Sequence, residues 1–417
     1  MRTMQKVTIV ILLGMRLSTC VRPGYDQGLI TSTNFDAQSR DPKFSDSARV
    51  QELWLRVREH TDKIYNTSLQ GPEGEEVVSK VTVTSIQGGQ LAMPNGWQDV
   101  RVQGIPELKG QGKYGRVYLA NLTCGDDPEV KQVAVKEVSF GNDEEKDQVE
   151  MEAWSLKILS RSSVPLVPRY LRQFIDLEEN RTWIMTRWAS GGSFWDLIHD
   201  GLSKNVDPKE NLKTRLWLFC DMMRGLEELH DHGMVHRDLK PENLLVSETC
   251  EGDCRALIAD LGLICYEGDG KEITRMVGTP IYLAPEVSDG QGASRKNDVW
   301  AAGIILYELL FLEPHIHEMN FWKLMCWKLP AADSLPRSYK ELAEDLGSGI
   351  QGSWIQEVLE GMLAGARKEC NPAIKADPTK RWTASEVLQS KFMKKVAEFR
   401  TTKSSKDDLS KCKEEDA

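Results

Sequence analysis

Apolar positions along the chain are spaced first as strands and then as helices. Val133-Ala134-Val135 is a β-branched run ending at Lys136, and Thr182 to Thr186 is an apolar run of strand length. Between them, residues 143 to 159 carry Leu156 and Leu159 at helical spacing and predict a helix. Leu212 to His230 has the period of a long amphipathic helix. Asp298 to Phe311 is apolar on every face except Asp298 and Glu308, the pattern of a helix buried inside a domain and too short to span a bilayer. Leu244 to Val246 and Ala256 to Ala259 predict a hairpin. Beyond it, helices and turns alternate to a final helix near Ser385 to Phe399.

The pattern changes at both ends. Residues 1–20 combine Arg2 and Lys6, an apolar run from Val7 to Met15, and Ser18, Thr19 and Cys20, as a secretory signal peptide would. A buried strand or an incidental apolar start are the alternatives. Residues 21–99 form an extension: a Gly/Pro/Ser-rich linker, a helical pattern over 45–60 with Val50, Leu53, Trp54 and Val57, and a strand over Val77 to Ile86. That helix carries Arg49, Arg56 and Arg58, so it suits packing on a neighbouring domain or lying on an anionic membrane. Residues 399–417 are charged and poor in apolar side chains, which predicts disorder. The central stretch, 100–398, loosens at Ser190-Gly191-Gly192-Ser193, dividing it into 100–189 and 190–398.

Composition narrows the function classes. With 417 residues, 40 % of them hydrophobic, the chain can bury a sizeable core, and a net charge of −10 argues against a nucleic-acid binder. None of the nine cysteines falls in a zinc pattern. Cys250 and Cys254 could close a disulfide across the predicted hairpin in an oxidising compartment and would be plain thiols elsewhere.

The densest chemistry is the octet HRDLKPEN, His236 to Asn243. Asp238, Lys240 and Asn243 bring a carboxylate, an ammonium and an amide into one loop, as is needed to orient a hydroxyl, neutralise a phosphoryl group and help hold a metal ion. Upstream, Gly110, Gly112 and Gly115 are spaced GxGxxG with Val117 following, a backbone able to close over phosphates. Lys136 ends VAVK and could reach those phosphates. On the following helix Glu152, with Leu156 and Leu159 on its face, is the choice to pair with Lys136, and Glu150 is the other candidate.

These motifs, with Asp260-Leu261-Gly262, GTPxYxAPE from Gly278, Asp298-Val299-Trp300 and a late DPxxR, stand in an order that resembles the eukaryotic protein kinases over residues 100–398. The resemblance implies an α+β bilobal fold, with a small β-rich N-lobe and a larger helical C-lobe, using ATP and Mg2+. It assigns phosphate holding to Lys136, its fixing to Glu152, hydroxyl orientation to Asp238, charge neutralisation to Lys240, and magnesium ligation to Asn243 and Asp260. The ATP pocket would add Gly110, Gly112, Gly115, Val117, Ala134, Thr186, Arg187, Ala189 and Leu245, with Met185 the alternative to Thr186 as the residue at the rear. Arg237 would meet a phosphorylated activation segment, with Thr274 or Tyr266 as the phosphosite. Thr279, Glu286, Asp298 and Arg381 would support that segment. Lys240 with Thr279 resembles the serine/threonine branch, which implies a protein substrate bearing a Ser or Thr hydroxyl. The departure is Leu261, where the family usually has Phe. The alternative function is a pseudokinase or scaffold. The leader and N-terminal extension together resemble secreted effector kinases such as the rhoptry kinases of apicomplexan parasites.

Overall fold

The computed structural model describes residues 9–10, 100–112, 115–124, 127–162, 166–176, 180–199, 208–247, 254–267, 276–312, 337–347, 349–366 and 375–404. The expected helix over 45–60, the strand over Val77 to Ile86, Thr274, Cys250 and residues 405–417 lie outside the described residues. The chain forms two compact units, one holding the described residues up to Val149 with Tyr170–Trp188, the other holding Glu150–Arg169 and the described residues from Ala189 onward. The division expected from the sequence falls at 189/190. Residues 150–169 group with the second unit, where the Leu166 carbonyl accepts from the Ile258 N–H (2.8 Å) and Ser162 Oγ donates to Glu228 (3.1 Å).

The first unit is built on an antiparallel sheet. Its strands are β1 (Ile9–Val10), β2 (Val100–Gly112), β3 (Gly115–Cys124), β4 (Asp127–Ser139), β5 (Tyr170–Asp176) and β6 (Arg181–Arg187), in the order β1-β5-β6-β4-β3-β2. Within the apolar run read as a leader, Ile9 pairs with Asp176 and Val10 with Ile175. Alternation selects one face: Tyr118, Ala120, Leu122, Val133, Val135, Trp183 and Met185 pack into one cluster with Leu171. Helix α1 (Asp143–Leu159) begins where Asn142 Oδ1 accepts from the Glu145 N–H (2.9 Å), with three acidic residues in its first turn.

The second unit is mainly helical. It contains α2 (Phe194–His199), α3 (Pro208–Asp231), β7 (Met234–Val235), β8 (Leu244–Val246), β9 (Ala256–Ile258), β10 (Cys265–Tyr266) and α4 (Pro285–Ser288). Then follow α5 (Arg295–Phe311), α6 (Tyr339–Leu346), α7 (Gly352–Met362), α8 (Ala384–Gln389) and α9 (Lys391–Ser404). Ser294 starts α5 with a capping box, and the helix is buried along its length as its apolar pattern requires. The single final helix expected over Ser385 to Phe399 is instead two, broken at Ser390, whose extended backbone (φ −62°, ψ 155°) cannot continue α8. Helix α9 also runs past the expected boundary at 399, to Ser404. Cys254 is buried and disulfide-bonded.

Candidate active site

In the first unit, strand register decides which side chains share a face. Gly110 pairs with Val117, Val117 with Lys136, and Lys136 with Ile184, while Ala134 pairs with Thr186. Directly paired residues lie on one face. Gly110, Val117, Ala134, Lys136 and Thr186 therefore line the face opposite the apolar cluster. Met185 is 1 % exposed inside that cluster, whereas Thr186 shares the face of Lys136 and Ala134. Of the three loop glycines only Gly115 is dictated by its surroundings. It has φ 129°, and a Cβ there would lie 2.1 Å from the Glu137 carbonyl oxygen, whereas one on Gly110 or Gly112 would meet nothing within 4 Å. Gly110 and Gly112 leave the loop open to a ligand.

In the second unit, one buried carboxylate fixes the octet. Asp298, in the first turn of α5, accepts from the backbone N–H groups of His236 (2.9 Å) and Arg237 (3.0 Å) and bonds His230 Nε2 (2.9 Å). Burial alone would push its carboxyl up, but the hydrogen bond and charge of His230, with the backbone hydrogen bond from His236, hold it below the usual carboxylate range. The His236 ring is oriented in turn: Nδ1 accepts from the Asp238 N–H (3.2 Å), so Nε2 carries the proton and donates to the Ala259 carbonyl (3.0 Å). Arg237 takes a left-handed backbone (φ 68°), and its Nε donates to the Leu263 carbonyl (2.5 Å). Gly278 crosses it so closely that a Cβ would sit 2.4 Å from the Arg237 carbonyl oxygen.

This support presents Asp238 to a converging set of donors. Its Oδ1 accepts from both the backbone N–H (2.8 Å) and the Oγ1 (2.7 Å) of Thr279. Its Oδ2 faces Lys240 Nζ (3.0 Å) and Asn243 Nδ2 (3.3 Å). Lys240 Nζ also donates to Thr279 Oγ1 (3.0 Å), so one hydroxyl accepts from the lysine and donates to the aspartate. Asn243 Nδ2 donates to the Asp238 backbone carbonyl (2.9 Å), which leaves Oδ1 as the atom a cation would take. The β8–β9 ladder pairs Leu244 with Ile258, and the Ala259 N–H donates to the Asn243 carbonyl (2.8 Å). Asn243 and Asp260 are thereby brought to the same end of the hairpin. Asp260 is held at φ 55°, unusual for a residue with a Cβ and typical of a functionally constrained position. Two hard oxygen donors suit magnesium, which keeps several waters and binds through one or two carboxylates plus substrate phosphates. Leu261 is fully buried beside it, as an apolar replacement for Phe should be.

Segment 190–193 runs along β8. The Gly191 N–H donates to the Val246 carbonyl (3.0 Å), the Val246 N–H to the Gly192 carbonyl (2.8 Å), and Ser193 bridges Leu245. Ala189 is buried and Leu245 half-buried in this stretch; Arg187 ends β6 exposed. On α1, Glu152 is 3 % exposed and Glu150 half-buried. Tyr266 is 2 % exposed in β10, packed edge-on against Trp154, which counts against it as a modification site. Glu286 and Arg381, both buried, form a two-pronged ion pair with the guanidinium stacked over Trp300 (4.8 Å).

Two supporting contacts escaped the sequence reading. His230 is a lone histidine in the last turn of α3, and nothing in its neighbourhood points to Asp298, 68 residues on. Tyr282 donates its hydroxyl to Glu308 (3.1 Å) across a buried space. In the sequence Glu308 is a polar break in an apolar helix.

The Protein kinase domain family matches residues 106–393 of this chain. A calcium/calmodulin-dependent protein kinase of Metarhizium anisopliae is 32 % identical over 302 residues, covering 69 % of this chain and 69 % of the relative. Serine/threonine-protein kinase nekl-2 of Caenorhabditis elegans is 30 % identical over 245 residues, covering 57 % of this chain and 66 % of the relative. Serine/threonine-protein kinase STE20 of Candida glabrata is 29 % identical over 294 residues; the match covers 69 % of this chain but only 27 % of that protein.

Proposed function

Because this chain belongs to the protein kinase family, we propose that it is an active serine/threonine kinase, transferring the γ-phosphoryl group of ATP to a hydroxyl of a protein substrate. The observation that carries the reading is the convergence of Lys240, Asn243 and Thr279 on the Asp238 carboxylate. Asp238 orients the substrate hydroxyl and accepts its proton. Lys240 neutralises charge on the transferred group, and Thr279 holds lysine and aspartate in register. Lys136, on the same face of the sheet as Val117, Ala134 and Thr186, holds the α and β phosphates. Asn243 and Asp260 would hold magnesium, whose charge offsets that of the phosphate oxygens. Every group this chemistry requires is present, which favours turnover over a scaffold role.

Phosphate transfer from Mg-ATP to a generic basic protein and to the chain itself, measured beside Asp238→Asn, tests the proposal. Transfer that disappears in the variant supports it. Nucleotide binding without transfer in the wild type would replace it with the scaffold reading. A secretory route is proposed on the apolar run Val7 to Met15; a reporter fused to residues 1–30 that stayed cytosolic and uncut would overturn it.

A further inference from the structure

Helix α3 buries a cation that lacks acceptors on two of its nitrogens among the described residues. Arg215 is 4 % exposed, and among the described residues its Nε and Nη1 have no hydrogen-bond partner. A buried guanidinium left without an acceptor is strongly disfavoured, so native structures nearly always supply one. One turn earlier on the same face, Asn211 Oδ1 is also buried without a partner. At the junction of α3 with α6, Lys209 bonds Asp345 (3.2 Å), and Arg337, 42 % exposed, pairs with the same carboxylate. Asp345 is thus committed to two other cations. Burial and the neighbouring Arg337 charge push the Arg215 guanidinium down to about 10, as a shortage of negative charge at this place would.

We propose that the α3–α6 junction is a phosphate-type oxyanion site, with Arg215 as the buried ligand and Arg337 as the ligand at its rim. Guanidinium groups match phosphate oxygens in a planar fork, and a P–OH would give Asn211 Oδ1 the donor it lacks. The oxyanion is either free phosphate or a phosphorylated side chain. The site is independent of the transfer chemistry at Asp238 and gives the helical unit a second place to recognise phosphate.

The test is thermal melting of the full chain in sodium phosphate against sodium chloride at equal ionic strength, for wild type, Arg215→Met and Arg337→Gln. With the site well filled, the wild type should melt about 3 °C higher in phosphate, and each variant should lose most of that rise. Arg337→Gln keeps the result informative if Arg215→Met fails to fold. Repeating the melts with a neutral phosphoserine peptide separates the sources: inorganic phosphate acting alone assigns a free anion, and the peptide acting at lower concentration assigns a phosphorylated side chain. A phosphate shift of equal size in all three proteins, as binding in the nucleotide site would give, or no shift in any, overturns the proposal.

Discussion

Two clusters in the helical unit use the same chemistry, a carboxylate met by a cation, for opposite ends. In the Glu286–Arg381 pair both side chains are essentially unexposed. Arg381 also donates to the carbonyls of Lys296 (2.9 Å) and Ala364 (3.2 Å), and Asn297 Nδ2 donates to Glu286 (3.2 Å). No partner can leave without stranding a charge. In the Asp238–Lys240 cluster the side chains are 8 % and 22 % exposed, and the third member, Thr279, is a neutral hydroxyl on another loop. These contacts can be exchanged for those of a substrate at little cost. Burial, rather than the identity of the ion pair, separates the architectural pair from the cluster proposed to act in transfer.

The difference breaks most visibly at Asp238. Asp238→Asn keeps an acceptor for Thr279 but removes the proton acceptor, so transfer should fall about 10²–10⁴-fold while the melting temperature stays within about 2 °C of wild type. A comparable loss of stability would show that the cluster is architectural too. Arg381→Met should do the reverse, leaving Glu286 buried and unpaired at about 3–5 kcal/mol of stability, read by urea unfolding. A variant that unfolds like wild type would contradict the account of that pair.

Thr279 sharpens the comparison, because it belongs to the exchangeable cluster without carrying charge. Thr279→Val retains the backbone N–H bond to Asp238 but loses the hydroxyl that links Lys240 to Asp238. Transfer should drop about 10–100-fold and Thr279→Ser should recover most of it, since the hydroxyl alone is at issue. Equal loss in both variants would mean that the methyl group, and hence packing, matters more than the bond.

The candidate cluster was plain in the sequence because Asp238, Lys240 and Asn243 lie within eight residues and the family order surrounds them. Supports drawn from distant residues were hidden. Strand β5 went unread because its inward positions include Gln173, a polar residue satisfied by Thr182 Oγ1 across the sheet (3.4 Å), so alternation is blurred. Strands β7 and β10 are two residues each, too short for any period. The choice between Met185 and Thr186 needed register, which a single strand cannot supply. Arg215 sits in α3 where the helical period calls for an apolar side chain, and only burial reveals it as an anomaly.

Glu308 lies between the two kinds of cluster, buried like Glu286 and accepting a hydrogen bond from the neutral Tyr282 hydroxyl. Burial pushes its carboxyl up to about 8, against a usual 4.5, with the Tyr282 bond acting the other way. The folded state therefore holds this proton more tightly than the unfolded chain does. Its contribution to stability is fully present below about pH 4.5 and is lost as pH rises toward 8, by at most about 1.4 kcal/mol per pH unit. Glu308→Gln keeps the neutral shape and an acceptor for Tyr282, so subtracting its urea midpoints from those of the wild type between pH 5.5 and 8 should leave a downward slope belonging to Glu308. Parallel profiles would mean that the carboxyl is already ionised in the native protein. Glu308 would then belong with the charged architecture of Glu286.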